Sequence, residues 1–363
     1  MKHNWEYKKL GEICDIYQPK TISTTMLVEN GKYPVYGANG IIGKYDKYNH
    51  QEKELLMTCR GATCGSINVS QPYSWINGNA MVIHPLHDNI VFDFLKYQLM
   101  TLNLSCIVTG AAQPQITRQS LTPILIPLPP LSVQERIVEE LDRLSLILEK
   151  KKQQIKELDS LAQSIFYDMF GDPIENEKDW EIKKLGEVGE IVTGSTPSTT
   201  DNTNWNGKIH WVTPAELSNQ LFYGATQRRL TEKGAKNLTL MPVGTVLLSS
   251  RAPIGKIAIT TQPMCCNQGF KNIICGEYLN NIFLYYYLLI TLENIKALGC
   301  GATFKEVSKK AIYSYETILP PLDLQQSFAK KIEAIEKQKE LINQSIKEVQ
   351  LLFDAKMDYY FGD

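Results

Sequence analysis

Two arginines, Arg60 and Arg251, each follow a short apolar run and precede a turn, Gly61-Ala62 in one case and Ala252-Pro253 in the other. A guanidinium delivered from a turn donates paired hydrogen bonds, which suits guanine O6 and N7, a phosphate, or a carboxylate within the protein. Two loops of similar make-up, Gly110-Ala111-Ala112-Gln113-Pro114-Gln115-Ile116 and Gly301-Ala302-Thr303-Phe304-Lys305-Glu306-Val307, add Gln113, Gln115, Thr303 and Lys305. These four could meet base edges or backbone, or the loops could simply be tight turns that close a domain. Arg228-Arg229 is a basic pair suited either to a phosphate clamp or to a solvated surface. Tyr36, Asn39 and Lys44 belong to a Gly-rich stretch, Tyr36-Gly37-Ala38-Asn39-Gly40-Ile41-Ile42-Gly43-Lys44, that superficially suggests a phosphate loop. Its span from Gly37 to Gly43-Lys44 is one residue too long for G-x-x-x-x-G-K-[ST], and Tyr45 stands where a magnesium-binding hydroxyl is needed. Nucleotide binding is therefore excluded there.

Catalytic chemistry finds no such footing. Eight cysteines (Cys14, Cys59, Cys64, Cys106, Cys265, Cys266, Cys275, Cys300) form no C-x-x-C pair and have no His-rich cluster beside them, so reduced structural thiols and no metal site are expected. There is no Asn-Pro-Pro or Asp-Pro-Pro aromatic tetrapeptide, no Gly-rich cofactor loop after a strand and no triad. The expectation is a chain without a catalytic centre and without a cofactor of its own. With 38 Lys and Arg against 39 Asp and Glu, the net charge of -1 exerts no overall pull on a polyanion and excludes none. No run of 18 or more apolar residues occurs, and Met1-Lys2-His3-Asn4-Trp5 opens no signal peptide, so a cytoplasmic chain with no membrane partner is expected.

The elements that must position these side chains are written twice. Trp5-Glu6-Tyr7-Lys8-Lys9-Leu10-Gly11-Glu12-Ile13 returns as Trp180-Glu181-Ile182-Lys183-Lys184-Leu185-Gly186-Glu187-Val188, an offset of 175. Leu128-Pro129-Pro130-Leu131 returns as Leu319-Pro320-Pro321-Leu322, and Phe170-Gly171-Asp172 as Phe361-Gly362-Asp363, both at an offset of 191. Arg60 and Arg251 share that second offset. The change of offset places about 16 extra residues in the second copy between Val188 and Arg251. Such repetition defines the architecture before any single motif does.

Each copy has two textures. Residues 1–130 and 180–321 are rich in Gly, Pro, Asn, Thr and Tyr, with short apolar runs such as Leu55-Leu56-Met57, Ala80-Met81-Val82-Ile83, Val246-Leu247-Leu248 and Lys256-Ile257-Ala258-Ile259. They read as strands between turns, with helix near 90–102 and 280–297. Residues 131–170 and 322–361 contain neither Pro nor Gly. Ile137, Leu141, Leu144, Leu148, Ile155, Leu158, Ala162, Ile165 and Met169 step by 4 and 3, as do Phe328, Ile332, Ile335, Ile342, Ile346, Val349, Phe353 and Tyr360. These are coiled-coil seams, interrupted by Lys151, Lys339 and Lys356, which either fix helix register or snorkel at the seam edge. Ser132 and Asp323 are the expected N-caps. The predicted class is α+β: two globular α/β heads, 1–130 and 180–321, separated by two long antiparallel helices with a linker at 171–179 and a pseudo-two-fold internal repeat.

Helices of this length span roughly 57 Å at about 1.5 Å per residue. Two unequal heads carried on such a pair would form a calliper, and duplex DNA is the natural object for it, because paired readers sit about one helical turn apart. Charge agrees: the heads hold 11 Lys and Arg against 9 acids and 14 against 10, whereas the helices hold 12 against 15. A coiled-coil adaptor whose heads bind proteins fits a near-neutral chain as well.

The duplicated W-x-x-K-x-L-G-E opening, the Leu-Pro-Pro-Leu turn followed by Gln134-Glu135 and Gln325-Gln326, and the Phe-Gly-Asp ending resemble the specificity subunits of type I restriction-modification systems over essentially the whole chain. Tyr36 to Gly43, Gly194-Ser195-Thr196-Pro197 and Trp211-Val212-Thr213-Pro214 look like stretches common in that family's target recognition domains. The resemblance implies two target recognition domains, each reading half of a split double-stranded DNA site, with the helices setting the gap. It further implies two bound methyltransferase subunits, with motor-nuclease restriction subunits added for cleavage, and places methyl donor and ATP on those partners. Gln325-Gln326-Ser327 departs from Gln134-Glu135-Arg136, so the two helix starts need not make equal partner contacts.

Overall fold

The computed structural model describes residues 5–110, 114–218, 220–251, 253–300 and 305–362. The chain divides into two compact units, Met1–Lys152 with Gln344–Asp363, and Gln153–Asn343, a division that passes through both long helices. Each unit thus holds one head and one end of each helix.

In the first head a four-stranded antiparallel sheet has the order Cys14–Tyr17, Ala80–Pro85, Leu55–Thr58, Ile67–Val69. The uninterrupted apolar runs are explained by burial on both faces. Leu55, Met57, Met81 and Ile83 turn to one cluster, while Leu56, Ala80 and Val82 turn to another, the alternation a strand imposes. A smaller sheet sets Tyr33–Gly37 between the antiparallel Gly40–Tyr45 and the parallel Trp75–Ile76. Helix Phe92–Thr101 follows the sheets.

The second head repeats this plan. Gly189–Val192, Asn272–Cys275, Val246–Leu248 and Ile257–Thr260 take the same order, and Phe222–Tyr223 adds a fifth, parallel strand at the edge. Trp205–Val212 sits between antiparallel Arg228–Leu230 and parallel Met264–Cys266. The extra residues are visible here. Residues 38 and 39 join the first head's central hairpin, whereas 213–227, including the added strand, join its counterpart. Helices Asn281–Ile290 and Leu292–Ala297 occupy the predicted stretch.

The duplicated opening motif has a packing reason. Glu6–Lys9 pairs antiparallel with Leu125–Leu128, and Ile182–Lys184 with Glu316–Ile318, so each head's start lies beside its end. Glu12 accepts from the backbone amide of Lys9 and Glu187 from that of Lys184, each satisfying an orphan donor of a short helix. A Cβ at Gly11 would lie 2.2 Å from Thr122 Cγ2, and one at Gly186 would lie 2.1 Å from the Tyr313 ring, which is why no side chain fits there.

The long helices run Leu131–Phe170 and Leu322–Phe361. Within each unit they run in opposite directions, because the start of one lies against the end of the other: Ile137 and Leu141 share a cluster with Met357 and Phe361, and Phe328 and Ile332 share one with Phe166 and Phe170. The N-caps differ from expectation. Ser132 and Asp323 fall inside the first turn, and the carbonyls of Pro130 and Pro321 take the first helical amides, from Val133 and Gln134 and from Leu324 and Gln325. Proline's fixed φ already suits a helix start, so each cap falls two residues earlier than expected. Gly171, at φ +76°, ends the first helix, and Lys178 donates to the carbonyls of Asp168 and Met169 there. Among the described residues no helix is long and apolar enough to cross a membrane.

Candidate nucleic-acid interface

Arg60 leaves the strand Leu55–Thr58 and forms a backbone bridge with Gln115, which exchanges two hydrogen bonds with Thr109. Arg251 forms the same bridge with Glu306, which exchanges two with Cys300. All three positions are related by the offset of 191, so the repeat carries its candidate arginines at matching stations. Arg60, Lys305 and part of Arg251 are open to solvent. Gln113 and Thr303 lie outside the described residues.

The Gly-rich segment is a hairpin and not a phosphate loop. Tyr36 is buried, and its hydroxyl accepts from the Gln71 amide at 3.1 Å, so it supports the strand from within and has no open path to a ligand. Asn39 occupies the exposed turn and accepts from Asn68 Nδ2 at 3.0 Å, and Lys44 is exposed on the returning strand. The Thr58 hydroxyl donates to the Ala38 carbonyl, which ties this turn to the strand that delivers Arg60. Asn39 and Arg60 are thereby brought to neighbouring loops.

Arg228 and Arg229 do not act as a pair. They are successive residues on one strand and point oppositely. The Arg228 guanidinium lies 3.5 Å from the centroid of Trp205 and 5.1 Å from that of Trp211, whose indoles meet edge to face. Arg229 stands opposite His210 and is exposed. Burial, and then the Arg229 charge, holds His210 below its usual range. Arg228 is exposed as well as packed against the two indoles, so both arginines stay candidate phosphate contacts, from opposite sides of the strand.

Two polar roles were not read from sequence. Buried Gln134 accepts from the Val91 amide and donates to the carbonyls of Asn89 and Pro129, and Gln325 does the same with Asn280, Tyr278 and Pro320. One amide side chain therefore fastens each helix start to its head. Their signal was their recurrence after Leu-Pro-Pro-Leu. The other is Lys271, which is buried and donates to Ser250 Oγ at 3.1 Å and to Glu306 Oε1 at 3.0 Å. Nothing in a strand-like run announces that partner.

The seam lysines divide. Lys339 reaches Asp159 on the other helix at 2.8 Å and Glu336 on its own at 2.6 Å, and Lys356 reaches Glu140 on the other at 2.6 Å. Lys151 is half-buried at the seam. Cross-helix pairs of this kind favour one register over its neighbours. Burial pushes the Cys14, Cys266 and Cys275 thiols up to about 12, which keeps them protonated. Among the described residues no three of His, Cys, Asp and Glu stand together as metal ligands.

The family model described as "Type I restriction modification DNA specificity domain" matches residues 2–158 and 177–351. The chain is 39% identical over 158 residues to the type I restriction enzyme MjaIX specificity subunit of Methanocaldococcus jannaschii, a match covering 42% of this chain and 37% of that protein. It is 28% identical to the putative MjaX specificity subunit of the same organism, over 77% of this chain and 71% of that one. The crystal structure of a type I restriction-modification S subunit from M. genitalium superimposes with a TM-score of 0.63 at 15% identity, covering 99% of this chain and 96% of the other. A chain from a structural study of complex assembly and conformational transition in a type I system gives 0.60 at 20%, covering 98% and 97%. These two likenesses concern the fold.

Proposed function

We propose, the chain belonging to the type I restriction modification DNA specificity family, that its two heads read the two halves of one split double-stranded DNA site and that its paired helices set the gap between them. The observation that carries this reading is the twin arginine bridge, Arg60 with Gln115 and Arg251 with Glu306, built on one backbone frame with unequal side chains. Equal frames support two similar readers, and unequal side chains support two different half-sites. Asn39, Lys44, Arg228, Arg229 and Lys305 are exposed in the same heads and are proposed as further base-edge or phosphate contacts. Gln113 and Thr303 remain proposed contacts on sequence grounds.

The chain brings recognition and no chemistry of its own. Two methyltransferase subunits would supply the methyl donor site, and motor-nuclease subunits would join them for cleavage with ATP. Exposed Leu146, Ile147, Leu161, Leu341, Leu351 and Leu352 on the long helices support docking of such partners, since apolar side chains at such density on a helix are otherwise unfavourable in water.

Co-expression with a type I methyltransferase subunit, followed by mapping of N6-methyladenine across host DNA, tests the reading. A split motif with a constant gap is expected, and replacing residues 180–321 with another head should change one half alone. A stable complex that methylates no split motif would remove the DNA reading and leave the protein-binding adaptor, whose associations should be insensitive to salt, whereas DNA affinity falls steeply with it.

A further inference from the structure

The two heads share a frame at the arginine bridge but fill it with different charges. In the first head Met81 stands opposite Met57 in the sheet and is fully buried. The matching place in the second head, where the backbone amide donates to Leu248, holds Lys271. Its ammonium is buried, with Ser250 Oγ and Glu306 Oε1 as partners. A buried ammonium needs a counter-charge, and one carboxylate oxygen supplies it. The other, Glu306 Oε2, lies 4.0 Å from Arg251 Nη1, beyond hydrogen-bond range, on a side chain that is 41% exposed. An acceptor is therefore held in place by Lys271 with capacity left over, next to a partly exposed guanidinium.

We infer that Glu306 is a specificity residue of the second head: its fixed carboxylate accepts from cytosine N4 of a G·C pair whose guanine meets Arg251. This rests on the DNA reading proposed above. The chemistry selects the pair. A carboxylate can only accept, and in the major groove cytosine offers N4 as its donor, while guanine alone offers the two adjacent acceptors, N7 and O6, that a guanidinium fork requires. Lys271 acts as a positioning residue, since it touches Glu306 and not DNA. In the first head the neutral Gln115 both donates and accepts, which suits adenine, so the same frame is set for a different base.

The test uses the full chain co-expressed with its methyltransferase subunit, in three forms: unaltered, Glu306→Gln, and Glu306→Gln with Lys271→Met. The double variant carries the Gln115 and Met81 combination with which the first head already folds, so it leaves no uncompensated ammonium. In the half-site assigned to residues 180–321, one G·C pair fixed in the unaltered protein should lose its preference by about tenfold or more in both variants, the discrimination a good base contact supplies. The first half and the gap should not change. If both variants keep the motif at every position and only the melting temperature of the single variant falls, Glu306 is a structural partner of Lys271 and the inference is overturned. If the unaltered protein itself directs no split motif, the underlying DNA reading fails, and this inference with it.

Discussion

Arg60 and Arg251 hold one station in a repeated frame, yet their charges are not equally free. Arg60 faces a neutral amide at Gln115, while Arg251 shares the neighbourhood of Glu306 with the buried Lys271. Under the proposed function, Arg60→Ala should weaken binding of a motif-bearing duplex by about tenfold or more, corresponding to roughly 1–3 kcal/mol for a good arginine contact. Competition binding of the assembled complex measures it, and unchanged affinity would remove Arg60 from the interface. Arg228→Ala should behave differently. Its guanidinium stacks on two indoles, so its loss should cost about 0.5–1 kcal/mol and lower the melting temperature of the second head by a few degrees, with the recognised sequence unaltered. A changed half-site would show that Arg228 reads a base. The contrast also shows what residue type conveys. Arginine at a turn was legible as exposed charge, but that Arg228 would be taken up by Trp205 and Trp211, and Tyr36 by the core, depended on cross-strand register that spacing alone does not fix.

At the level of elements, the heptad steps located both helices, because an apolar stripe without Gly or Pro over such a length has no other stable use. They did not reveal how the helix ends are anchored. Phe361 packs on Phe94 at 5.4 Å in the first unit, and Phe170 packs on Phe283 at 4.8 Å in the second, so each helix finishes in the core of a head. These phenylalanines interrupt the simple step of the seam, and only the tertiary contact explains them. Lys356 and then Tyr360, near the end of the second helix, donate to Glu140 on the first and hold its carboxyl below the ordinary value of 4.5. A depressed folded pKa contributes stability that is present above the unfolded value and is lost as pH falls through the folded one. Mild acid below about pH 4.5 should therefore loosen the end of the second helix from the start of the first, seen as faster amide exchange near Phe353 to Phe361. Glu140→Gln should flatten that pH dependence, and an identical profile in the variant would show that other carboxylates carry it.

For the chain as a whole, duplication conveyed more than any motif: matched offsets related the two heads, the two helices and the two arginines, while the bridges to Gln115 and Glu306 and the added strand Phe222–Tyr223 were found only in the structure. The proposed role of the helices as a spacer then makes a geometric prediction. Seven residues is the insertion that keeps an apolar seam in phase, because it restores the same heptad positions. One heptad inserted into each helix at corresponding points, after Lys152 and after Asn343, lengthens both by about 10.5 Å at about 1.5 Å per residue. With duplex DNA advancing about 3.4 Å per base pair, the gap in the methylated motif should grow by about three base pairs while both half-sites stay as they were. An insertion of five residues, which shifts the apolar stripe off the seam, should instead lower the yield of folded protein. If the heptad variant folds, binds its methyltransferase partner and methylates the original motif with the original gap, the helices do not measure the site, and the spacing must be set within the heads or by the partner subunits.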